Sequence, residues 1–173
     1  MYCDFYSITK RNDDMPEFID LLIKEINQKA KTHNHDWIFD TIFFGGGTPS
    51  LLTPAWIKKI LDTLYSNFNF TKTIEITLEV NPGEVNLEDF MGFKHSGINR
   101  LSLGFQSLRP KLLEFLSRIH VPEDNLKTFN DARKAGFNNI NIDLIFNIPG
   151  QTIKEWKEDE TKKLVLIDKT DWK

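Results

Sequence analysis

Cysteine is nearly absent from this chain of 173 residues, which contains one, Cys3. A single cysteine excludes any disulfide within the chain, and the first residues lack the basic and apolar stretches of a secretory signal. The expected compartment is therefore the cytoplasm. His33 and His35 lie in a polar stretch, which predicts a solvated loop rather than a metal site.

Long apolar runs and a strong excess of charge are also missing. The net charge is −3, from 22 basic and 25 acidic residues, so neither nucleic acid nor an anionic membrane is an expected partner. Runs such as Ile42–Phe44 are far shorter than the ~20 apolar residues that a membrane span needs. The 40% of hydrophobic residues and the length predict one folded domain over residues 1–173.

The helices are indicated by apolar periodicity and by capping residues. Met15–Lys31 has apolar residues at spacings of three and four, and Phe18 and Leu21 belong to the predicted stripe. Near the other end of the chain, Thr152 and Glu155 have the spacing of a capping box and predict a last helix.

Short runs of β-branched and aromatic residues alternate with these helical segments. They predict strands with centres near residues 42, 77, 102 and 142, the second over Thr73–Val80 and the fourth over Asn139–Phe146. Strand–helix–strand alternation predicts an α/β fold with parallel strands and right-handed crossovers. Two architectures satisfy this pattern, an open doubly wound sheet and part of a (β/α) barrel.

Glycine or polar residues follow or end each predicted strand. They are Gly45–Ser50 after the first strand, Glu79 and Asn81 at the second, Gln106 and Ser107 after the third, and Asp143 and Asn147 at the fourth. Because the carboxyl ends of parallel strands share one edge, these residues predict a common ligand site.

Each of these residues also has a structural explanation. Gly45–Gly47 let a ligand approach the backbone closely, although a plain turn also uses glycine. Glu79 and Asp143 interrupt apolar strands, where they could bind a ligand's amino or hydroxyl groups or be paired within the protein. Arg118 suits a carboxylate ligand, whereas an ordinary surface arginine is the simpler interpretation.

Six sequence blocks carry a resemblance that spans Tyr2 to about Trp156. They are YCDFYS at 2–7, GGGTPS at 45–50, LEVNPGE at 78–84, GINRLSLGFQS at 97–107, LSRIH at 116–120 and GFNNINIDLIFNIPGQT at 136–152. In order and spacing, they resemble the radical S-adenosylmethionine (SAM) family that contains oxygen-independent coproporphyrinogen III oxidase and a heme-chaperone (HemW) branch.

This resemblance implies a partial (β/α) barrel that holds a [4Fe-4S] cluster and SAM, and a family chemistry in which one electron cleaves SAM to a 5′-deoxyadenosyl radical. Cys3 matches the last cysteine of the family's CxxxCxxC cluster motif. The positions that match SAM contacts in the family are Tyr2, Gly46, Gly47, Thr48, Glu79, Gln106, Arg118 and Asp143.

The heme-chaperone branch is favoured because Phe5 stands where the oxidase has a further cysteine. That branch implies heme as cargo, a heme-recipient protein and an electron donor as partners. The alternatives are the oxidase itself, an enzyme of porphyrin biosynthesis, and a truncated remnant without function. The remnant is considered because the chain lacks two cluster cysteines, the strand before them and the family's later strands, so whether it catalyses a reaction stays open.

The single cysteine predicts that this chain does not hold a complete cluster by itself. A [4Fe-4S] cluster of this family needs three thiolates, and Cys3 supplies one. Anaerobic reconstitution followed by iron and sulfide counting should therefore give well under the four irons per chain of a full cluster. A stable content near four irons would contradict the prediction.

Overall fold

The computed structural model describes residues 11–33 and 35–168, so Tyr2, Cys3 and Phe5 lie outside the described residues. The strands are β1 (Ile38–Phe44), β2 (Asn69–Val80), β3 (Arg100–Gln106) and β4 (Asn139–Leu144). The helices are α1 (Met15–Ala30), α2 (Pro54–Asn67), α3 (Leu87–Ser96), α4 (Pro110–Phe115), α5 (Pro122–Lys134) and α6 (Ile153–Asp168), with 3₁₀ turns at Asn12–Asp14 and Pro49–Leu51.

The order of the strands distinguishes the two architectures that the sequence left open. All described strand pairs are parallel, and the sheet runs β1-β2-β3-β4 in chain order. A doubly wound sheet reverses its direction of growth and has helices on both faces. Here the strands follow one another without reversal, as in the wall of a (β/α) barrel, which confirms the predicted fold class.

The two faces of the sheet differ sharply in polarity, because successive side chains of a strand point to opposite faces. One face is apolar and packs with helix side chains in a single core; its strand residues are Ile76, Leu78, Val80, Leu101, Leu103, Phe105, Ile140 and Ile142. Ile57 of α2, Phe93 of α3 and Phe129 of α5 lie in the same core. The opposite face, which we call the inner face, carries Thr77, Glu79, Arg100, Ser102, Gln106, Asn141 and Asp143.

Two strand boundaries differ from the sequence prediction. β2 begins at Asn69 rather than near Thr73, because Asn69 and Phe70 pair with the start of β1 before a register shift. β4 ends at Leu144, whereas the sequence pattern continues to Phe146, which is 71% exposed. Phe146 therefore extends the apolar pattern of the sequence although it lies beyond the last residue of β4.

The buried stripe of α1 is offset from the predicted one. Ile19 is buried, whereas Phe18 and Leu21 are more than half exposed. The helix packs mainly against α2, and the face that carries Phe18 and Leu21 is open to solvent. Within residues 11–33 and 35–168, no helix combines the length and the apolar character that a membrane span requires.

The last helix, α6, begins at the predicted capping box and is fixed to the sheet by a buried carboxylate. Thr152 and Glu155 exchange the expected hydrogen bonds, with the Glu155 N–H donating to Thr152 Oγ1 at 3.2 Å. Asp159 is 1% exposed and accepts from Ser107 Oγ at 3.0 Å and from the Leu108 N–H at 3.1 Å. Its other oxygen lies 3.3 Å from Arg109 Nε.

Asp159→Ala should destabilise the fold strongly, because it leaves the Ser107 hydroxyl and the Arg109 charge without their shared buried acceptor. Arg109 keeps its ion pair with Glu158, so the main loss is that of a buried hydrogen-bond acceptor, which costs about 1–3 kcal/mol. Urea unfolding followed by circular dichroism measures the change in the free energy of unfolding.

Asp62→Ala is the matched control, because Asp62 pairs with Lys58 at 2.8 Å on the exposed face of α2. An exposed ion pair between residues one helical turn apart contributes about 0.3–0.5 kcal/mol. Equal losses for the two variants would show that Asp159 does not fix α6 to the sheet.

Candidate functional site

The structure brings most of the predicted site residues to the carboxyl-terminal edge of the sheet. Gly46, Gly47 and Thr48 form the loop after β1, Glu79 lies next to the end of β2, Gln106 ends β3, Asp143 lies next to the end of β4, and Arg118 lies between α4 and α5. Whether each residue contacts SAM stays a prediction. Hydrogen bonds connect several of these residues into two networks, one around Asn81 and one around Asp143, and a separate bond joins Gly46 to Glu79.

The glycine loop is held against Glu79. The Gly46 N–H donates to Glu79 Oε2 at 3.1 Å, and Gly46 has φ +111°, a conformation that other residues rarely adopt. A Cβ on Gly45 would lie 2.6 Å from the Phe43 ring and 3.1 Å from Glu79 Oε2. Glycine is therefore favoured at both positions, at Gly46 for its backbone conformation and at Gly45 for the close approach of the Phe43 ring and the Glu79 carboxylate.

Asn81 connects three separate segments of the chain. Its Oδ1 accepts a hydrogen bond from Arg118 Nη1 at 2.8 Å. Its Nδ2 donates to Thr48 Oγ1 at 3.4 Å and to Glu84 Oε2 at 3.2 Å. The sequence placed Asn81 at a strand end without giving it a role, and Glu84 carried no signal beyond its place in the LEVNPGE block.

Two titratable groups near this network are affected by burial. Burial raises the pKa of Glu84, against the opposing effects of the Asn81 hydrogen bond and the Arg118 charge. Burial lowers the pKa of His120, which is 5% exposed and lies 3.4 Å from the Phe105 carbonyl oxygen through Nε2. A neutral His120 adds no positive charge beside Arg118, so Arg118 remains the cationic group of this network.

At the end of β3, Gln106 has an unusual backbone conformation, and its side chain lies against Gly104. Gln106 has φ +63°, and the Ile145 N–H donates to its carbonyl oxygen at 2.9 Å. A Cβ on Gly104 would lie 2.9 Å from Gln106 Nε2 and 3.4 Å from Asn81 Oδ1. The side-chain amides of Gln106 and Asn81 therefore both lie close to the backbone of Gly104, which has no side chain of its own.

Asp143 belongs to a second network on the inner face. Its Oδ2 accepts from Ser102 Oγ at 2.8 Å, and its Oδ1 accepts from Asn141 Nδ2 at 2.6 Å. The residue is nevertheless exposed, so its remaining lone pairs face open space. Asp143 thus has the internal partners of the structural interpretation and also the access that a ligand contact requires.

No three His, Cys, Asp or Glu side chains among the described residues are grouped as metal ligands would be. His33 packs its ring 4.3 Å from His35 and 4.6 Å from Phe68, measured between ring centroids. Cluster binding would depend on Cys3, which lies outside the described residues.

Comparison with known proteins establishes the family. The sequence profile of the Radical SAM superfamily matches residues 1–161. The chain belongs to the radical SAM superfamily. The structure of coproporphyrinogen III oxidase (HemN) from Escherichia coli, described as a radical SAM enzyme, superposes with a TM-score of 0.82 at 30% identity over 95% of this chain and 38% of that one.

Curated relatives of this radical SAM chain are named heme chaperones. Identity is 38% to the heme chaperone HemW of Bacillus subtilis over 95% of this chain, and 35% to the mitochondrial radical S-adenosyl methionine domain-containing protein 1 of Danio rerio over 96%. The chain spans 44% and 37% of those two proteins. An archaeal Elp3 structure, with a TM-score of 0.59 at 21% identity, shares the fold alone.

Gly46→Ala should lower the free energy of unfolding, because φ +111° is strained for any residue with a Cβ. Such strain costs about 1–3 kcal/mol, and no atom within 4 Å adds a steric clash at this position. Gly97→Ala, at φ +117° where α3 ends, is the comparison with a similar backbone cost. Unfolding in urea measures the free energy of unfolding of both variants. If Gly46→Ala leaves this free energy unchanged, the loop readily adopts another conformation.

Proposed function

We propose that this chain is a radical SAM core, one domain over residues 1–173, of a heme chaperone of the HemW type. In this proposal the whole protein binds a [4Fe-4S] cluster and SAM and passes heme to recipient proteins. The names of the relatives from Bacillus subtilis and other bacteria support it. Because the chain spans less than half of those relatives, the activities of the whole protein are part of the proposal.

The observation that carries the proposal is the convergence of complementary groups at one sheet edge. SAM carries an ammonium group, a carboxylate, a sulfonium and ribose hydroxyls. The carboxylates of Glu79 and Asp143 suit the ammonium group and the hydroxyls, while the Arg118 guanidinium suits the carboxylate. Gly46 and Gly47 leave the backbone open to close approach, and Thr48 and Gln106 add neutral hydrogen-bonding groups.

The cluster would be held by Cys3 together with thiolates that this chain does not contain, and Tyr2 would stand beside SAM. When bound, the cluster supplies an electron for reductive cleavage of SAM. The residues of this chain would orient the nucleoside and limit the access of water. An electron donor and a heme-recipient protein are the further partners expected, and location in the cytoplasm remains part of the same proposal.

Oxygen-independent coproporphyrinogen III oxidase is the second candidate, favoured by the structural similarity to HemN. In that function the protein would oxidatively decarboxylate propionate side chains of a porphyrinogen. Phe5, at the position of the oxidase's further cysteine, is the residue that argues against it. A chain without function is the third alternative, and failure to bind SAM would support it.

Glu79→Gln should weaken SAM binding, because it removes the charge from a carboxylate proposed to face the ligand while preserving side-chain shape. A charge-assisted hydrogen bond contributes about 1.5–3 kcal/mol, so the dissociation constant should rise by about 10-fold or more. Isothermal titration of the 173-residue chain with SAM measures it. Glu88→Gln, on the exposed side of α3, is the control and should stay within about twofold of the parent chain.

Heme titration and an oxidase assay distinguish the two named functions. We expect the chain to shift the Soret absorption of added heme, with and without SAM, and to release no carbon dioxide from coproporphyrinogen III under reducing, anaerobic conditions. Decarboxylation would support the oxidase instead. SAM binding without any heme response would limit the assignment to the superfamily.

A further inference from the structure

Asn81 makes three side-chain hydrogen bonds at the predicted SAM site, although the family resemblance does not place it among the SAM contacts. Its amide bonds Arg118 from the α4–α5 loop at 2.8 Å and Thr48 from the glycine loop at 3.4 Å. A third bond, at 3.2 Å, joins it to Glu84 in the turn after β2. Three segments distant in sequence therefore meet at one short side chain.

The orientation of this amide is dictated by its neighbours. A guanidinium has only donors, so the Asn81 oxygen must face Arg118. An ionised carboxylate has only acceptors, so the Asn81 nitrogen must face Glu84. A flipped amide would lose both bonds at once, and Asn81 therefore holds Arg118 in one defined direction.

Gly104 of β3 lies beside the side chains of both Asn81 and Gln106. A Cβ there would come within 3.4 Å of Asn81 Oδ1 and 2.9 Å of Gln106 Nε2. Glu79 lies two positions before Asn81 on β2 and bonds the Gly46 N–H. Asn81 is thus bordered by residues that the family resemblance implies as SAM contacts.

We propose that Asn81 is a positioning residue for SAM, which fixes the Arg118 guanidinium so that it can pair with the carboxylate of the methionine part. This inference rests on the proposed SAM binding. A long, flexible arginine loses rotamer freedom when it binds an anion, and a partner that orders it beforehand removes part of that cost. Asn81 therefore acts through Arg118 and does not itself need to touch the ligand.

The test compares two ligands on the 173-residue chain. SAM contains the carboxylate, whereas 5′-methylthioadenosine contains the nucleoside and sulfur without the amino acid part. Asn81→Leu, which keeps the side-chain size and removes the hydrogen bonds, should raise the dissociation constant of SAM about 10-fold, the equivalent of one lost hydrogen bond to a charged group. The dissociation constant of methylthioadenosine should stay within about twofold.

A double-mutant cycle tests whether the effect passes through Arg118. Arg118→Ala should weaken SAM binding, and adding Asn81→Leu to it should cause little further loss. Asn130→Leu, the same substitution at an exposed position of α5, is the control and should leave both ligands unaffected. Asn81→Ser replaces Asn81→Leu if circular dichroism shows that the leucine variant is unfolded.

The outcomes separate the inference from the proposed function. If the parent chain does not bind SAM, the proposed function fails and the inference fails with it. If the parent chain binds SAM, the inference alone is overturned by any of three results: an unchanged affinity in the Asn81 variant, equal losses for SAM and methylthioadenosine, or full additivity with Arg118→Ala.

Discussion

Alternation of apolar and polar side chains along four parallel strands is the constraint on which the rest of this structure depends. In β3, Leu101, Leu103 and Phe105 are fully buried beneath the helices, while the residues between them face the other way. Because all helices that share the main core lie on one face, the second face remains available for polar groups. A one-residue slip in register would exchange these faces and remove both the core and the site.

The inner face can hold polar side chains because these side chains form hydrogen bonds with one another across the strands. Arg100 of β3 donates to Thr77 of β2 at 3.1 Å, and Ser102 donates to Asp143 of β4 at 2.8 Å. Such bonds reduce the cost of placing polar groups inside a wall of strands. The Ser102 bond also fixes the direction of the Asp143 carboxylate near the end of β4, so one contact serves both the fold and the predicted site.

Sequence predicted the parts of the fold that depend on local periodicity and capping. The strand centres and the capping box of Thr152 and Glu155 that starts α6 follow from short patterns. The extension of β2 to Asn69 and the exposure of Phe18 depend on which segments meet in space, which periodicity does not encode. For the same reason, sequence identified Arg118 as a candidate but could not show that Asn81 holds it.

Apart from Tyr2, the predicted SAM contacts lie far along the chain from the predicted cluster ligand, Cys3. Every described candidate contact lies between Gly46 and Asp143, within a sheet whose last flanking helix is fixed by the buried carboxylate of Asp159. The cluster position, Cys3, lies outside that sheet's described strands. Under the proposed function, affinity for the nucleoside would depend on packing and hydrogen bonds that this chain already contains, whereas iron content would depend on the number of thiolates. A chain that binds SAM but little iron would follow directly from this division.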